Sequence, residues 1–236
     1  MLSRPSQVAP IFCTISTLLC LHFAVPEPLR PQPDENLKQY FTSRGYVDGG
    51  VLTNLNNEHL DMAALPGFLR TLLVTDGTVT KSLEAYFWEP VAIDLLWQRA
   101  VWLHAEKPLI DAAKGDQVLK RSVRLRGEKT EHIYAYATSF LKTDHLPDGL
   151  NRQLLAGEIG IGEILREVGL ETYREIMDFG QAPLGQITRE APVNSKTEPA
   201  IYRTYRIVAH GAPVMQITES FPCLIYGLKG GAPDNQ

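Results

Sequence analysis

"VLKRSVRLRGEKTEHIYAYATSF", residues 118–140, is a run of strictly alternating side chains joined by a short polar turn to a second strand-like run. Successive side chains on a strand point to opposite faces. In 118–127 one face collects Leu119, Arg121, Val123 and Leu125, and the other Lys120, Ser122, Arg124 and Arg126. The second face reads as the wet one. Gly127-Glu128-Lys129-Thr130 then turns the chain into a second strand, 132–140, which makes an antiparallel hairpin.

Outward from this hairpin further strands follow. "PVAIDLLWQRAVWL" (90–103) alternates Val91, Ile93 and Leu95 and predicts a strand. "AIYRTYRIVA" (200–209) and "PVMQITESF" (213–221) predict two more, joined through His210-Gly211-Ala212. Between the hairpins, 151–177 predicts a helix interrupted near Gly160 and Gly162. Upstream, "LLVTDGTVTKSLEAYF" (72–87) predicts a helix near 66–74, a break at Thr75-Asp76-Gly77-Thr78, and a second helix over 79–88 behind an Asp or Thr cap. That corner is either a plain capped turn or a place where backbone and threonine hydroxyls face a ligand. Hairpins with helices between them indicate an α+β fold, an antiparallel sheet flanked by helices.

The chain has 236 residues, 44% of them hydrophobic, enough for one sizeable core with an appendage. The net charge of −4 with scattered basic residues leaves no footprint for nucleic acid or an anionic membrane. Three cysteines, Cys13, Cys20 and Cys223, make no disulfide framework, and the six histidines form no zinc-site spacing. "GEIGIGEIL" (157–165) is glycine-rich without being a phosphate loop. Residues 10–26 are apolar, like the core of an export signal, but the small residues of a cleavage site are missing and the run is short for a membrane span. The expectation is a cytoplasmic protein with an N-terminal extension over 1–60, which includes a Pro-rich linker at 26–36. A catalytic domain over 61–228 and a flexible tail over 229–236 complete the expected organisation.

Two charges break the alternation. Arg121 sits alone on the apolar face of its strand. In 213–221 one face holds Pro213, Met215, Ile217, Glu219 and Phe221, so Glu219 is that face's single charge. Burying an isolated charge costs several kcal/mol even after relaxation. Either the two pair with each other or reach solvent at a sheet edge, or both line a ligand cavity. In a cavity, Arg would be the fork for a carboxylate and Glu would handle a proton or bind a hydroxyl. Arg203 and Arg206, in "YRTYR" (202–206), form a weaker pair, because their strand has no clean polarity.

Four segments in this order, "TDGTVTKSLEAYF" (75–87), "LKRSVRLRG" (119–127), "GEIGIGEIL" (157–165) and "GAPVMQITESFP" (211–222), resemble the chorismate lyase family, in a branch found in photosynthetic bacteria and actinobacteria. The resemblance runs from about Leu65 to Phe221. It implies a six-stranded antiparallel sheet, not closed into a barrel, with a buried cavity under helical flaps. It places the family's carboxylate-binding arginine at Arg121 and its catalytic glutamate at Glu219, behind Thr218. The flap contact, a leucine-glycine step in the family, falls on Ile161-Gly162. The first-corner contact, a methionine before Thr-Lys, falls on Val79 before Thr80. Both are departures from the family pattern, softened because the contacts are made by backbone. The corner at 75–80 would then wall the cavity, offering N–H donors and the Thr80 hydroxyl to an anion.

The implied activity is conversion of chorismate to 4-hydroxybenzoate and pyruvate, supplying a quinone precursor of the plastoquinone or ubiquinone type. It needs no metal or organic cofactor, no nucleic acid and no membrane, and suits a monomer acting on a small molecule. Two alternatives stay open. One is a ligand-binding module of the same fold, as in some transcription regulators. The other is a chorismate enzyme with a different hydroxybenzoate product.

Overall fold

The computed structural model describes residues 50–146, 150, 152–154 and 160–228. The N-terminal apolar run, the Pro-rich linker and the tail over 229–236 lie outside them. The described residues contain a small hairpin, β1 (Val51–Thr53) and β2 (His59–Asp61), then helices α1 (Gly67–Val74) and α2 (Val79–Phe87). Strands β3 (Val91–Trp102), β4 (Gln117–Gly127) and β5 (Ile133–Leu141) follow. Helix α3 (Ile161–Glu167), strand β6 (Thr172–Pro183), a one-turn helix α4 (Leu184–Ile187), and strands β7 (Pro199–Ala209) and β8 (Ala212–Pro222) complete the order. Strands β3 to β8 form one six-stranded antiparallel sheet in the order β3-β4-β5-β8-β7-β6.

The hairpins form where the alternation places them. β7 turns into β8 through His210 (φ 51) and Gly211 (φ 80). Two consecutive positive-φ residues make the primed turn whose twist suits a two-residue hairpin. Register then aligns one face across all strands. Leu119, Leu141, Met215 and Ile207 form one row, and the pairs Leu125–Ala135 and Phe221–Ile201 lie on the same face. Leu69, Leu72 and Leu73 of α1, Leu83 of α2, and Ile164 and Leu165 of α3 are buried in the same core as these residues. The opposite face is not bare: Ser122 is 1% exposed, and Tyr136 packs with Leu184 and Ala191.

One expected element is corrected. The helix predicted over 151–177 is α3 followed by β6, and within that span residues 151 and 155–159 lie outside the described residues. Gly169 takes φ 67, the Gly169 N–H donates to the Arg166 carbonyl, and the Leu170 N–H to the Leu165 carbonyl. This is a helix C-cap that only a residue free to adopt the left-handed region makes cheaply. Leu170, Tyr173 and Met177 imitate helical spacing, but they come after the stop. Upstream of the helix expected near 66–74, where no element was predicted, the chain forms β1 and β2. Their Leu52 and Leu60, with Met62, join the main core, so the packed body draws on residues from the expected N-terminal extension, 1–60.

A second constraint fastens the β4–β5 hairpin to the helices. Glu89, 6% exposed, sits at the end of α2 under the β4–β5 turn. Its carboxylate accepts hydrogen bonds from the Tyr134 hydroxyl, the Thr130 hydroxyl (2.7 Å), and the N–H groups of Lys129 (2.8 Å) and Thr130 (3.1 Å). These donors, led by Tyr134 and Thr130, hold its pKa down from 4.5 to about 2. A depressed carboxylate pKa stabilises the fold above the unfolded-state pKa and loses that contribution as pH falls toward the folded value. Glu89→Gln should therefore lower the melting temperature at pH 7, and its deficit against wild type should shrink as pH falls from about 4.5 toward 2. Paired thermal melts across this range check it, and a deficit that stays constant with pH would contradict it.

Candidate active site

The helix-covered face of the sheet carries a cavity of about 310 Å³. Its floor is apolar: Val123, Leu125, Ala137, Ile207 and Ile217 all line it. Val79, Thr80, Arg121, Ile161, Gly162 and Glu219, the six candidate site residues, line the same cavity. Its walls are the starts of α2 (Gly77–Lys81) and α3 (Gly160–Glu163). The first-turn N–H groups of α2 have no acceptor inside the helix. Residues of this turn line the cavity, and this end of the helix carries the positive end of its dipole.

Arg121 and Glu219 are buried, at 2% and 8% exposure. They come from β4 and β8, with β5 between: Arg121 aligns with Ser139, and Ala137 with Glu219. Two strand spacings and two residues of offset put their Cα atoms about 12 Å apart on one face. Burial lowers the Arg121 pKa.

Glu219 pairs with an arginine, and that arginine is Arg203. Arg203 Nε donates to Glu219 Oε2 at 2.8 Å, and the Tyr205 hydroxyl donates to Glu219 Oε1 at 3.0 Å. Burial, with the adjacent Glu219 charge second, pushes the Tyr205 phenol well above its ordinary value, so it stays a donor. Arg203 is fully buried and its Nη1 donates to the Thr75 carbonyl at 2.6 Å. A second arginine, Arg174 on β6, donates from Nη1 to the Asp76 carbonyl at 2.6 Å. The corner between α1 and α2 thus offers carbonyls to two sheet arginines and its helix start to the cavity.

Sequence reasoning placed Arg203 and Arg206 together as weak candidates. The structure separates them. Arg203 shares the cavity-side face with Tyr205, whereas Arg206 points the other way and pairs with Glu175. The turn does not settle this: counted from the Ala209–Ala212 pair, Tyr202 would face Glu219, and a bulge at Ile207/Val208 shifts the register by one residue and brings Arg203 opposite it. Arg174 was missed because its segment reads as helix.

A family model described as "Chorismate pyruvate-lyase Rv2949c-like" matches residues 73–228, more than half of the chain. The chain belongs to this family. Among curated relatives, a chorismate pyruvate-lyase of Mycobacterium leprae is 28% identical over 170 residues, covering 72% of this chain and 81% of that protein. One from Mycobacterium tuberculosis H37Rv is 28% identical over 161 residues, covering 65% and 78%. Among solved structures, PhnF from Mycobacterium smegmatis is similar over 63% of this chain and 65% of that one, at 14% identity and a TM-score of 0.47. In this member of the chorismate pyruvate-lyase family, no group of three His, Cys, Asp or Glu among the described residues could hold a metal. No helix among the described residues is long and apolar enough to cross a membrane.

Removing one partner of a buried ion pair strands the other charge, at about 3–5 kcal/mol. Arg203→Leu should lower unfolding free energy by that order in denaturant titrations. An unchanged midpoint would show that Glu219 does not depend on Arg203.

Proposed function

We propose that the chain is a chorismate pyruvate-lyase that converts chorismate to 4-hydroxybenzoate and pyruvate, feeding quinone synthesis from the cytoplasm as a monomer. The observation that carries this reading is the pair of buried polar groups, Arg121 and Glu219, at opposite ends of an apolar floor in a cavity of about 310 Å³. That volume is at the small end of ligand sites and suits a single ring. Chorismate brings a ring carboxylate at one end and a ring hydroxyl at the other.

In this reading Arg121 grips the ring carboxylate. Glu219, oriented by Arg203 and Tyr205, accepts a hydrogen bond from the ring hydroxyl. The C–O bond between ring and enolpyruvyl group breaks, and the ring carbon bearing the hydroxyl loses its proton. The ring becomes aromatic, which drives the reaction. The departing enolpyruvate is protonated at its methylene carbon and leaves as pyruvate, so atoms balance. Glu219 is the group placed to take part in moving the ring proton. Holding the substrate in its reactive conformer is worth roughly 7–11 kcal/mol in favourable cases. The walls from α2 and α3 supply that confinement.

Glu219→Gln keeps size and most hydrogen bonding but loses proton affinity. Turnover of chorismate should fall about a hundredfold or more, the usual scale for a positioned acid or base. Arg121→Lys keeps the charge but loses the two-pronged fork, so it should raise both the KM for chorismate and the Ki for 4-hydroxybenzoate. Steady-state kinetics with product inhibition measures both. A Glu219→Gln enzyme as active as wild type would remove the chemistry from this sheet.

A further inference from the structure

Chorismate carries two carboxylates and its aromatic product only one. Resting on the reading above, we propose that Arg174 is the seat of the second, enolpyruvyl carboxylate, and so the residue that distinguishes substrate from product.

Four cationic side chains line the cavity: Lys81, Arg121, Arg166 and Arg174. Lys81 is exposed and paired with Glu84 at 2.7 Å. Arg166 is exposed on the last turn of α3, where water screens it. Arg203, next to the cavity, is already engaged by Glu219 and the Thr75 carbonyl. Arg174 differs from these. It is half-buried, and among the described residues no carboxylate lies within ion-pair distance of it. Its Nη1 holds only the neutral Asp76 carbonyl. Its Nε is buried with no hydrogen-bond partner among the described residues. A buried donor without an acceptor is costly, and a charged one more so. A ligand carboxylate at Nε would supply what is missing.

The position also fits. β6 stands four places across the sheet from β4, with β5, β8 and β7 between, about 19 Å by strand spacing. Arg121 and Arg174 therefore reach into the cavity from opposite sides. The Arg174 guanidinium lies 5.9 Å from the Tyr205 ring, and Tyr205 holds Glu219. The enolpyruvyl group sits on the ring carbon next to the one bearing the hydroxyl. A hydroxyl at Glu219 therefore directs the enolpyruvyl carboxylate toward this neighbourhood. On its other side Arg174 meets the flap: a Cβ added at Gly162 would lie 3.6 Å from Nη2 and 3.5 Å from the Thr78 side chain. The seat is thus bounded by the starts of both α2 and α3.

The test is Arg174→Gln in the full chain, assayed for kcat/KM on chorismate and for Ki of 4-hydroxybenzoate, with melting temperatures. Loss of charge-assisted hydrogen bonds to a carboxylate should cut kcat/KM about thirtyfold, while Ki for the product stays at the wild-type value. Arg174→Lys should recover part of the loss without restoring the fork. A parallel fall in kcat/KM and in product affinity, with a lowered melting temperature, would mean that Arg174 only braces the Asp76 corner and would overturn the proposal. Unchanged kinetics would overturn it equally. If wild type itself leaves chorismate unchanged, the functional reading fails first and the seat falls with it.

Discussion

A carboxylate buried on the apolar face of a sheet has to be compensated, and the Arg203–Glu219 pair is how this protein does it. The two residues face each other across β7 and β8, with Nε–Oε2 at 2.8 Å. Arg203 spends a second donor on the Thr75 carbonyl, so the compensation of one charge also fixes the corner between α1 and α2. That corner sets where the α2 N-terminus points, and with it one wall of the cavity. The opposite side of Glu219 is held by Tyr205. Glu219 therefore has one position rather than several, and a group held in place before substrate arrives loses less freedom on binding.

The remaining architecture keeps that pair dry and addressable. Rows of Leu, Ile, Val and Ala surround it, so a polar ligand group meets few competing partners. Hydrogen bonds there are stronger than in water and their absence costs more. Polar anchoring is placed at the margins instead. Glu89 ties the β4–β5 turn to the end of α2. The stacked rings of Phe87 and Tyr134, 3.8 Å apart, and the Tyr226 hydroxyl on the Tyr134 carbonyl continue the same fastening. The helices thus stay seated over the sheet although the cavity between them is open space.

Much of this was legible in the chain, and the failures have physical reasons. Alternation, together with the turns that separate the runs, identified five of the six main strands, most plainly in β3, β4 and β8, where one face is apolar and the period of two survives. The same alternation exposed Arg121 and Glu219 as misfits. Arg203 was obscure because β7 lies inside the sheet with both faces largely covered, so "YRTYR" shows no wet side against which a charge stands out. β6 was lost because Gly169, which ends α3, is followed by residues that keep helical spacing by chance. Arg174 was lost with it. Glu89 had no local signature at all: its partners are Thr130 and Tyr134, 41 and 45 residues away.

The most direct measurement is the product analysis of purified protein incubated with chorismate. The account predicts that chorismate disappears while 4-hydroxybenzoate and pyruvate accumulate in equal amounts, without added metal or cofactor. Chorismate that binds and is released unchanged, or a different hydroxybenzoate in place of 4-hydroxybenzoate, would contradict it.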